Sequence, residues 1–226
     1  MDTALFRKFV LFAELDEREL NTLASVVRPR RHEKDEVVFH EDQSGDVFCL
    51  IREGRVKVTM ISPEGKEIIL STMGPGDFFG EMALLDNEPR SATVVALEDL
   101  ELWTIWRSDF LQLLSENFSI TRKVLAELSR RLRSASDRIE SLATMDVYGR
   151  LARYLLELAQ RNGKILANGY VAVTRPTHQA IANTIGTSRE TVSRLIHDLM
   201  QQDLLLSEGK TIYLKKTAIE QFRADT

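Results

Sequence analysis

Two short stretches hold the residues whose types and spacing could do chemistry. The first runs Ala180-Ile181-Ala182-Asn183-Thr184-Ile185-Gly186-Thr187-Ser188-Arg189-Glu190-Thr191-Val192-Ser193-Arg194. Ala182, Gly186 and Val192 stand four and six residues apart, the pattern of a helix-turn-helix. It places a small residue where two helices cross, a glycine in the turn and a branched apolar anchor on the second helix. Ser188 is a good N-cap for that second helix. Its opening turns then carry Arg189, Glu190 and Arg194 outward. Arginine can donate two hydrogen bonds to guanine and glutamate can accept one from cytosine, so this set can read base edges in a major groove. A mixed-charge surface helix would account for the charges, but not for the turn glycine and the cap as well.

The second stretch runs Gly76-Asp77-Phe78-Phe79-Gly80-Glu81-Met82-Ala83-Leu84-Leu85-Asp86-Asn87-Glu88-Pro89-Arg90-Ser91-Ala92-Thr93-Val94. Gly80 lets a backbone approach a ligand closely. Glu81 through Leu85 can form one helical turn whose free N–H groups attract an anion. Arg90 adds a planar fork suited to phosphate, Ser91 a hydroxyl donor, and Glu81 an acceptor for a ribose hydroxyl. The competing reading is a plain Glu81–Arg90 salt bridge inside a barrel.

The elements that must position these residues can be read from the pattern. Residues 4 to 27 look helical, with Asp16 as a cap. Short β-rich runs follow: Val37-Val38-Phe39, Val47 to Ile51, Val56 to Met60, Ile68 to Thr72, Thr93 to Leu97 and Leu100 to Ile105. Turn residues separate them, as in Glu53-Gly54 and Ser62-Pro63-Glu64-Gly65. Many short strands at regular spacing indicate an antiparallel barrel or roll. A long helix is expected from Ser115 to Asp146. Its apolar positions Leu125, Leu128, Leu132, Ala135, Ile139 and Leu142 are spaced 3, 4, 3, 4, 3, an a/d seam of about three heptads. Such a strict seam favours a parallel two-helix homodimer over packing within one chain, which shows a wider stripe. The seam stops around Met145–Gly149, the expected hinge. Helix 149–161, a polar loop from Arg161 to Tyr170, the helix-turn-helix, and a hairpin of Leu204–Leu206 and Thr211–Leu214 joined by Ser207-Glu208-Gly209-Lys210 complete a winged domain. The expected class is α+β, divided as 1–114 (β-roll), 115–146 (dimerisation helix and hinge) and 147–226 (winged helix-turn-helix).

Composition sets limits on function. The chain has 226 residues and a net charge of −4, unusual for a nucleic-acid binder until it is divided. Val147 to Thr226 holds 11 Lys+Arg against 7 Asp+Glu, a balance of +4, so the remainder stands at −8. A basic C-terminal part and an acidic N-terminal part point to separate roles. No apolar run approaches the roughly 20 residues needed to span a bilayer, and no signal-peptide pattern opens the chain. A cytoplasmic protein without membrane contact is therefore expected. The single Cys49 excludes an internal disulfide and a cysteine-ligated iron–sulfur cluster or zinc site, and reads as a buried strand residue. His32, His40, His178 and His197 are scattered. His32 or His40 could serve as a haem ligand, but a solvated histidine accounts for either more simply. No metal-ligand spacing, Walker loop or nucleophile elbow is present, so neither an enzyme nor a catalytic cofactor is expected.

Together these features resemble the cyclic AMP receptor protein and fumarate-nitrate reductase regulator superfamily of bacterial transcription factors. The resemblance covers residues from about 8 to 220 and is closest to the cyclic AMP receptor branch. It is carried by the Gly76–Val94 stretch, which resembles a phosphate-binding cassette, and by Arg130-Arg131-Leu132, Leu142-Ala143, Asp146-Val147, Gly149-Arg150, Ser188-Arg189-Glu190-Thr191-Val192, Arg194 and Gly209-Lys210-Thr211-Ile212. It implies that Gly80, Glu81, Arg90 and Ser91, with Met82 and Ala83, hold the ribose and phosphate of a cyclic nucleotide. Arg131, Ala135 and Ser136 would complete the pocket from the dimer helix. It further implies a homodimer that binds double-stranded DNA through Thr174, Arg175, Ser188, Arg189, Glu190, Thr191, Arg194 and Lys210. The target would be a palindrome of the form TGTGA, six spacer bases, TCACA. Loop 161–170 lies where the activator branch meets RNA polymerase, though its residues here are generic. One departure bears on the effector. The branch usually places Thr-Ser against adenine, and this chain has Ala135-Ser136. Cyclic AMP is the first expectation, with cyclic GMP, cyclic di-GMP or a degenerate pocket open. Two further classes are alternatives, a regulatory module for another protein and an enzyme acting on cyclic nucleotides. The Arg189/Glu190/Arg194 set opposes the first and the missing catalytic motifs oppose the second.

Overall fold

The computed structural model describes residues 3–166 and 169–224. Ala167 and Asn168, in the segment expected as a polar loop, lie outside the described residues. The chain divides into two compact units, Met1–Leu132 and Arg133–Thr226, the division falling inside one long helix.

The first unit opens with two 3-10 turns, Thr3–Lys8 and Val10–Phe12, and helix α1 (Glu17–Val26). Asp16 caps α1 as expected. Its carboxylate accepts from the Glu19 N–H at 2.8 Å, and the Glu19 carboxylate accepts from the Asp16 N–H at 2.7 Å. This reciprocal box satisfies two otherwise orphaned donors. Strands β1 (Arg28–His32), β2 (Val37–Phe39), β3 (Val47–Glu53), β4 (Val56–Ile61), β5 (Glu67–Met73) and β6 (Phe78–Phe79) follow, then helix α2 (Met82–Leu85), β7 (Thr93–Ala96) and β8 (Leu100–Trp106). They form two antiparallel four-stranded sheets, ordered β1-β8-β3-β6 and β2-β7-β4-β5. Helices α3 (Arg107–Glu116) and α4 (Phe118–Thr144) close the run.

Strand β3 shows how the roll is held. Its unbroken apolar run Phe48-Cys49-Leu50-Ile51 is fully buried, and alternate residues serve different cores. Cys49 and Ile51 pack with Val56, Val94 and Ala96 between the sheets. Phe48 and Leu50 face the helical side, with Trp103, Phe110, Ile120 and Val124. The Phe48 and Phe110 rings stack with centroids 4.2 Å apart. A strand buried on both faces needs this continuous apolar pattern rather than alternation.

Strand β1 was not foreseen, because Arg28-Pro29-Arg30-Arg31 are all exposed and nothing in them alternates. It is an edge strand paired only with β8, and charge with proline is the composition that protects an exposed edge. The single helix expected from Ser115 is instead two. Asn117 adopts extended backbone (φ −126°, ψ 91°) between α3 and α4, and its Nδ2 donates to the Leu113 carbonyl at 3.1 Å. A short amide that competes for a helical carbonyl ends the helix.

Along α4 the seam positions Leu125, Leu132, Ile139 and Leu142 are exposed at 58%, 70%, 68% and 56%, and Phe118, one heptad ahead of Leu125, at 80%. Ala135 is exposed too. Leu128 differs, being half-buried against the first unit's own core. One d position of the seam is thus shared with intrachain packing.

In the second unit Asp146 caps α5 (Val147–Asn162) by accepting from the Gly149 N–H at 2.8 Å. The break between α4 and α5 falls at Met145–Asp146. Next come β9 (Lys164–Ile165), β10 (Tyr170–Thr174), α6 (His178–Ile185), α7 (Arg189–Gln201), β11 (Leu205–Glu208), β12 (Thr211–Lys215) and α8 (Lys216–Ala224). The sheet is antiparallel, ordered β11-β12-β10-β9. Residues 161–170 are therefore not only a polar loop, since Lys164–Ile165 pairs with β10. Strand β10 and helix α8 were likewise not anticipated. Leu151, Leu155, Ile181, Val192, Ile196, Leu205, Ile212 and Phe222 form the core.

Candidate effector pocket and nucleic-acid interface

The cassette begins where β6 ends. Gly80 has φ +84°, and a Cβ there would lie 2.9 Å from the Val47 carbonyl oxygen and 2.7 Å from an Arg90 nitrogen. Only glycine accommodates both the left-handed backbone and the close approach. Gly80→Ala is expected to destabilise the protein by about 2 kcal/mol or more, combining backbone strain with the clash. Denaturant unfolding checks this, and an unchanged midpoint would contradict it.

Arg90 is buried beneath that turn. Its Nη1 donates to the Gly80 carbonyl at 2.8 Å and its Nη2 to the Val47 carbonyl at 2.9 Å. The guanidinium lies 3.8 Å from the centre of the Phe39 ring. Burial pulls Arg90 below its ordinary pKa, with Cys49, Asp46 and Glu81 opposing. The Glu81–Arg90 salt bridge of the competing reading does not form. Glu81, 2% exposed, instead accepts from Nη1 of Arg131 on α4 at 3.0 Å. Arg131 also donates to the Phe78 carbonyl at 2.6 Å and, through Nε, to Glu127 at 2.8 Å. Burial raises the Glu81 pKa, with Arg131 the main opposing charge.

Among the described residues, two buried side-chain polar atoms have no hydrogen-bond partner, Glu81 Oε2 and Arg90 Nε. One is an acceptor and the other a donor. A sugar hydroxyl and a phosphate oxygen are the groups that would satisfy them, so the residues present fit a nucleotide. Ser91 is exposed, its hydroxyl 3.6 Å from the Met82 sulfur, and Ala83 is buried on α2. The first unit thus brings together Gly80, Glu81, Met82, Ala83, Arg90, Ser91 and Arg131. Ala135 and Ser136 are exposed positions of α4 in the other unit.

Sequence reasoning missed Arg107. It donates to the Ala83 and Leu84 carbonyls at 2.8 and 3.1 Å, to the Gly45 carbonyl at 2.9 Å and to Asp46 at 3.1 Å. It thereby caps the carbonyl end of α2 and ties the cassette to α3 and to the loop before β3. Cys49 is buried on β3 as expected, burial pushing its thiol up to about 12. His32 is engaged with Glu36 at 2.7 Å. No cluster of three or more His, Cys, Asp or Glu suited to a metal occurs among the described residues.

In the second unit the helix-turn-helix forms as its residue types require. Gly186 ends α6 in left-handed conformation, φ +70°, and its N–H donates to the Ala182 carbonyl. Ala182 and Val192 are fully buried at the crossing. Ser188 caps α7, accepting from the Thr191 N–H at 3.1 Å, and the two hydroxyls lie 3.0 Å apart. Arg189, Glu190 and Arg194 are left exposed. Backbone hydrogen bonding and the Ser188 hydroxyl hold Glu190 below the usual carboxylate pKa. Exposed Thr174 pairs with Thr211 across the sheet, and the Arg175 N–H donates to the Lys210 carbonyl at 2.8 Å. Two more arginines escaped the sequence reading in their role. Arg138 donates to the Thr184 carbonyl at 2.8 Å and Arg150 to the Ile185 carbonyl at 2.9 Å. They satisfy the carbonyl end of α6 beside the turn glycine.

Residues 29–117 match the Cyclic nucleotide-binding domain family and residues 149–220 the Crp-like helix-turn-helix domain family. The chain is 31% identical to a CRP-like cAMP-activated global transcriptional regulator of Mycobacterium tuberculosis, over 95% of each protein. Among solved structures it resembles a CooA mutant from Carboxydothermus hydrogenoformans, with a TM-score of 0.79 at 22% identity over 90% of each chain. It also resembles the c-di-GMP responsive global regulator CLP of Xanthomonas campestris, with a TM-score of 0.76 at 25% identity, covering 88% of this chain and 99% of that one. A cyclic nucleotide-binding domain and a Crp-like helix-turn-helix domain on one chain, matched nearly end to end by the Mycobacterium tuberculosis regulator, place it in the CRP/FNR family of cyclic nucleotide-binding transcription regulators, not among enzymes.

Proposed function

We propose that the chain acts as a homodimer whose DNA binding is gated by a cyclic nucleotide, with cyclic AMP the favoured effector. The observation that carries this reading is the pair of unpartnered buried atoms, Glu81 Oε2 and Arg90 Nε, in one cassette. The name of the 31%-identical relative supports cyclic AMP. In this reading Arg90 turns its donors to the phosphate, Glu81 accepts from the ribose, Gly80 keeps the backbone close and Ser91 adds a donor. Met82 and Ala83 frame the turn, and Ala135 and Ser136 meet the base from the dimer helix. Ala135 lacks the hydroxyl usual there, a loss of roughly 1 kcal/mol for one hydrogen bond. That departure, with the c-di-GMP responsive neighbour, keeps cyclic di-GMP as a second reading. Calorimetry with cyclic AMP, cyclic GMP and cyclic di-GMP, with and without palindromic DNA, tests the assignment. Failure of all three to bind would overturn it.

Two α7 helices related by a two-fold axis reach successive major grooves about 34 Å apart. The proposed target is therefore TGTGA, six spacer bases, TCACA, read by Arg189, Glu190 and Arg194. Ser188, Thr191, Thr174, Arg175 and Lys210 would contact the backbone. Glu190→Ala is expected to relax preference at one C·G pair per half-site by roughly 1–3 kcal/mol, leaving other positions intact. Lys210→Ala should instead weaken all sequences alike. Binding-site selection reads both, and an unchanged motif for Glu190→Ala would refute the assignment.

A further inference from the structure

We propose that Arg175 and His178 form a phosphate clamp on the DNA-binding face that closes with uptake of one proton. Arg175 lies in the short link between β10 and α6, held to the wing by its backbone bond to Lys210. His178 opens α6 directly after the Thr177 cap. Nη1 of Arg175 stands 3.3 Å from Nε2 of His178. A guanidinium has donors only, so Nε2 must be the deprotonated acceptor and the ring is neutral in this arrangement. The charges acting on the ring are both cationic, Arg175 on the link and Arg189 on α7. With burial as the largest cause, they hold His178 below the ordinary histidine value.

An anion at this spot reverses the balance. A phosphate oxygen accepts from Arg175, releasing Nε2, and its charge favours protonation of the imidazole, which then donates as well. Both members become charge-assisted donors to one oxyanion. The DNA backbone supplies such groups at about one charge per 1.7 Å of helix axis. The sign follows from this order of states. The free protein carries a neutral ring at neutral pH and the complex a protonated one. Affinity therefore rises as pH falls between the two values and is flat above them. This inference rests on the DNA-binding reading and adds a backbone contact and a proton to it.

The test uses the full chain, a duplex of about 30 base pairs of arbitrary sequence, and low salt, where phosphate contacts alone support binding. The His178 ring is followed by NMR across a pH series with and without duplex, its signal assigned through His178→Gln. The expected result is titration below the ordinary value in the free protein and an upward shift with duplex. The dissociation constant should tighten on acidification by up to about tenfold per pH unit and protomer. His178→Gln keeps an acceptor for Arg175 and should lose that slope, any residue of it reporting His197 on α7. A ring whose titration is unmoved by saturating duplex, or an unchanged slope in His178→Gln, overturns the clamp while DNA binding stands. Absence of duplex binding at low salt, with saturating cyclic AMP as well as without it, overturns both.

Discussion

Leu132→Asp is expected to abolish dimerisation and operator binding together. In the protomer Leu132 is 70% exposed on α4, so the substitution costs the isolated fold little beyond helix propensity, a few tenths of a kcal/mol. In the proposed parallel seam the same position meets its own copy, flanked by Leu125, Leu128, Ala135, Ile139 and Leu142. Two aspartates would be desolvated side by side, costing several kcal/mol per ion before their mutual repulsion. A half-site contact cannot replace the lost partner, because palindrome binding sums two helices. Sedimentation and operator titration of the variant decide the matter. A monomer that keeps full operator affinity would sink the dimer reading, and a dimer of unchanged stability would move the seam elsewhere.

Arg90→Leu is expected to reduce cyclic nucleotide affinity by at least a hundredfold. It removes the fixed charge assigned to the phosphate, and hydrogen bonds to charged groups contribute roughly 1.5–3 kcal/mol each. Arg90 also donates to the Gly80 and Val47 carbonyls, so the leucine variant leaves two acceptors unpaired and should unfold more readily. Arg90→Lys separates these effects. It keeps the charge but loses the planar fork, so it should retain more of the fold while still losing most of the affinity. Unfolding midpoints and calorimetry on both variants distinguish a damaged cassette from a missing phosphate partner. If Arg90→Lys binds cyclic AMP as tightly as the parent, the pocket is misassigned.

Local signals made much of this molecule legible. The helix-turn-helix signature, with its Gly186 turn and its Ser188 cap, lies within the fifteen residues 180–194, and each depends on local backbone geometry that few residue types satisfy. The Asp16 cap, the strands with apolar runs and the one-turn helix after Gly80 were readable for the same reason. Elements without such a signature were not. Strand β1 carries no apolar alternation because it is an exposed edge, and the break at Asn117 depends on one amide reaching the Leu113 carbonyl.

Partner choice was the other gap. The sequence placed Glu81 and Arg90 nine residues apart, and their pairing was the simplest alternative. The fold instead brought Arg131 to Glu81 from α4 and turned Arg90 onto backbone carbonyls. Arg107, Arg138 and Arg150 behave alike, each capping a helix end by donating to main-chain oxygens. A carbonyl acceptor is common to every residue and leaves no trace in the amino-acid code, whereas a glycine forced to positive φ or a serine at a cap does. Residue types by themselves therefore determined these turns and caps and which polar side chains the second helix of the motif leaves exposed. Tertiary packing alone decided which buried charge meets which partner, and which polar atoms of the cassette remain for a ligand.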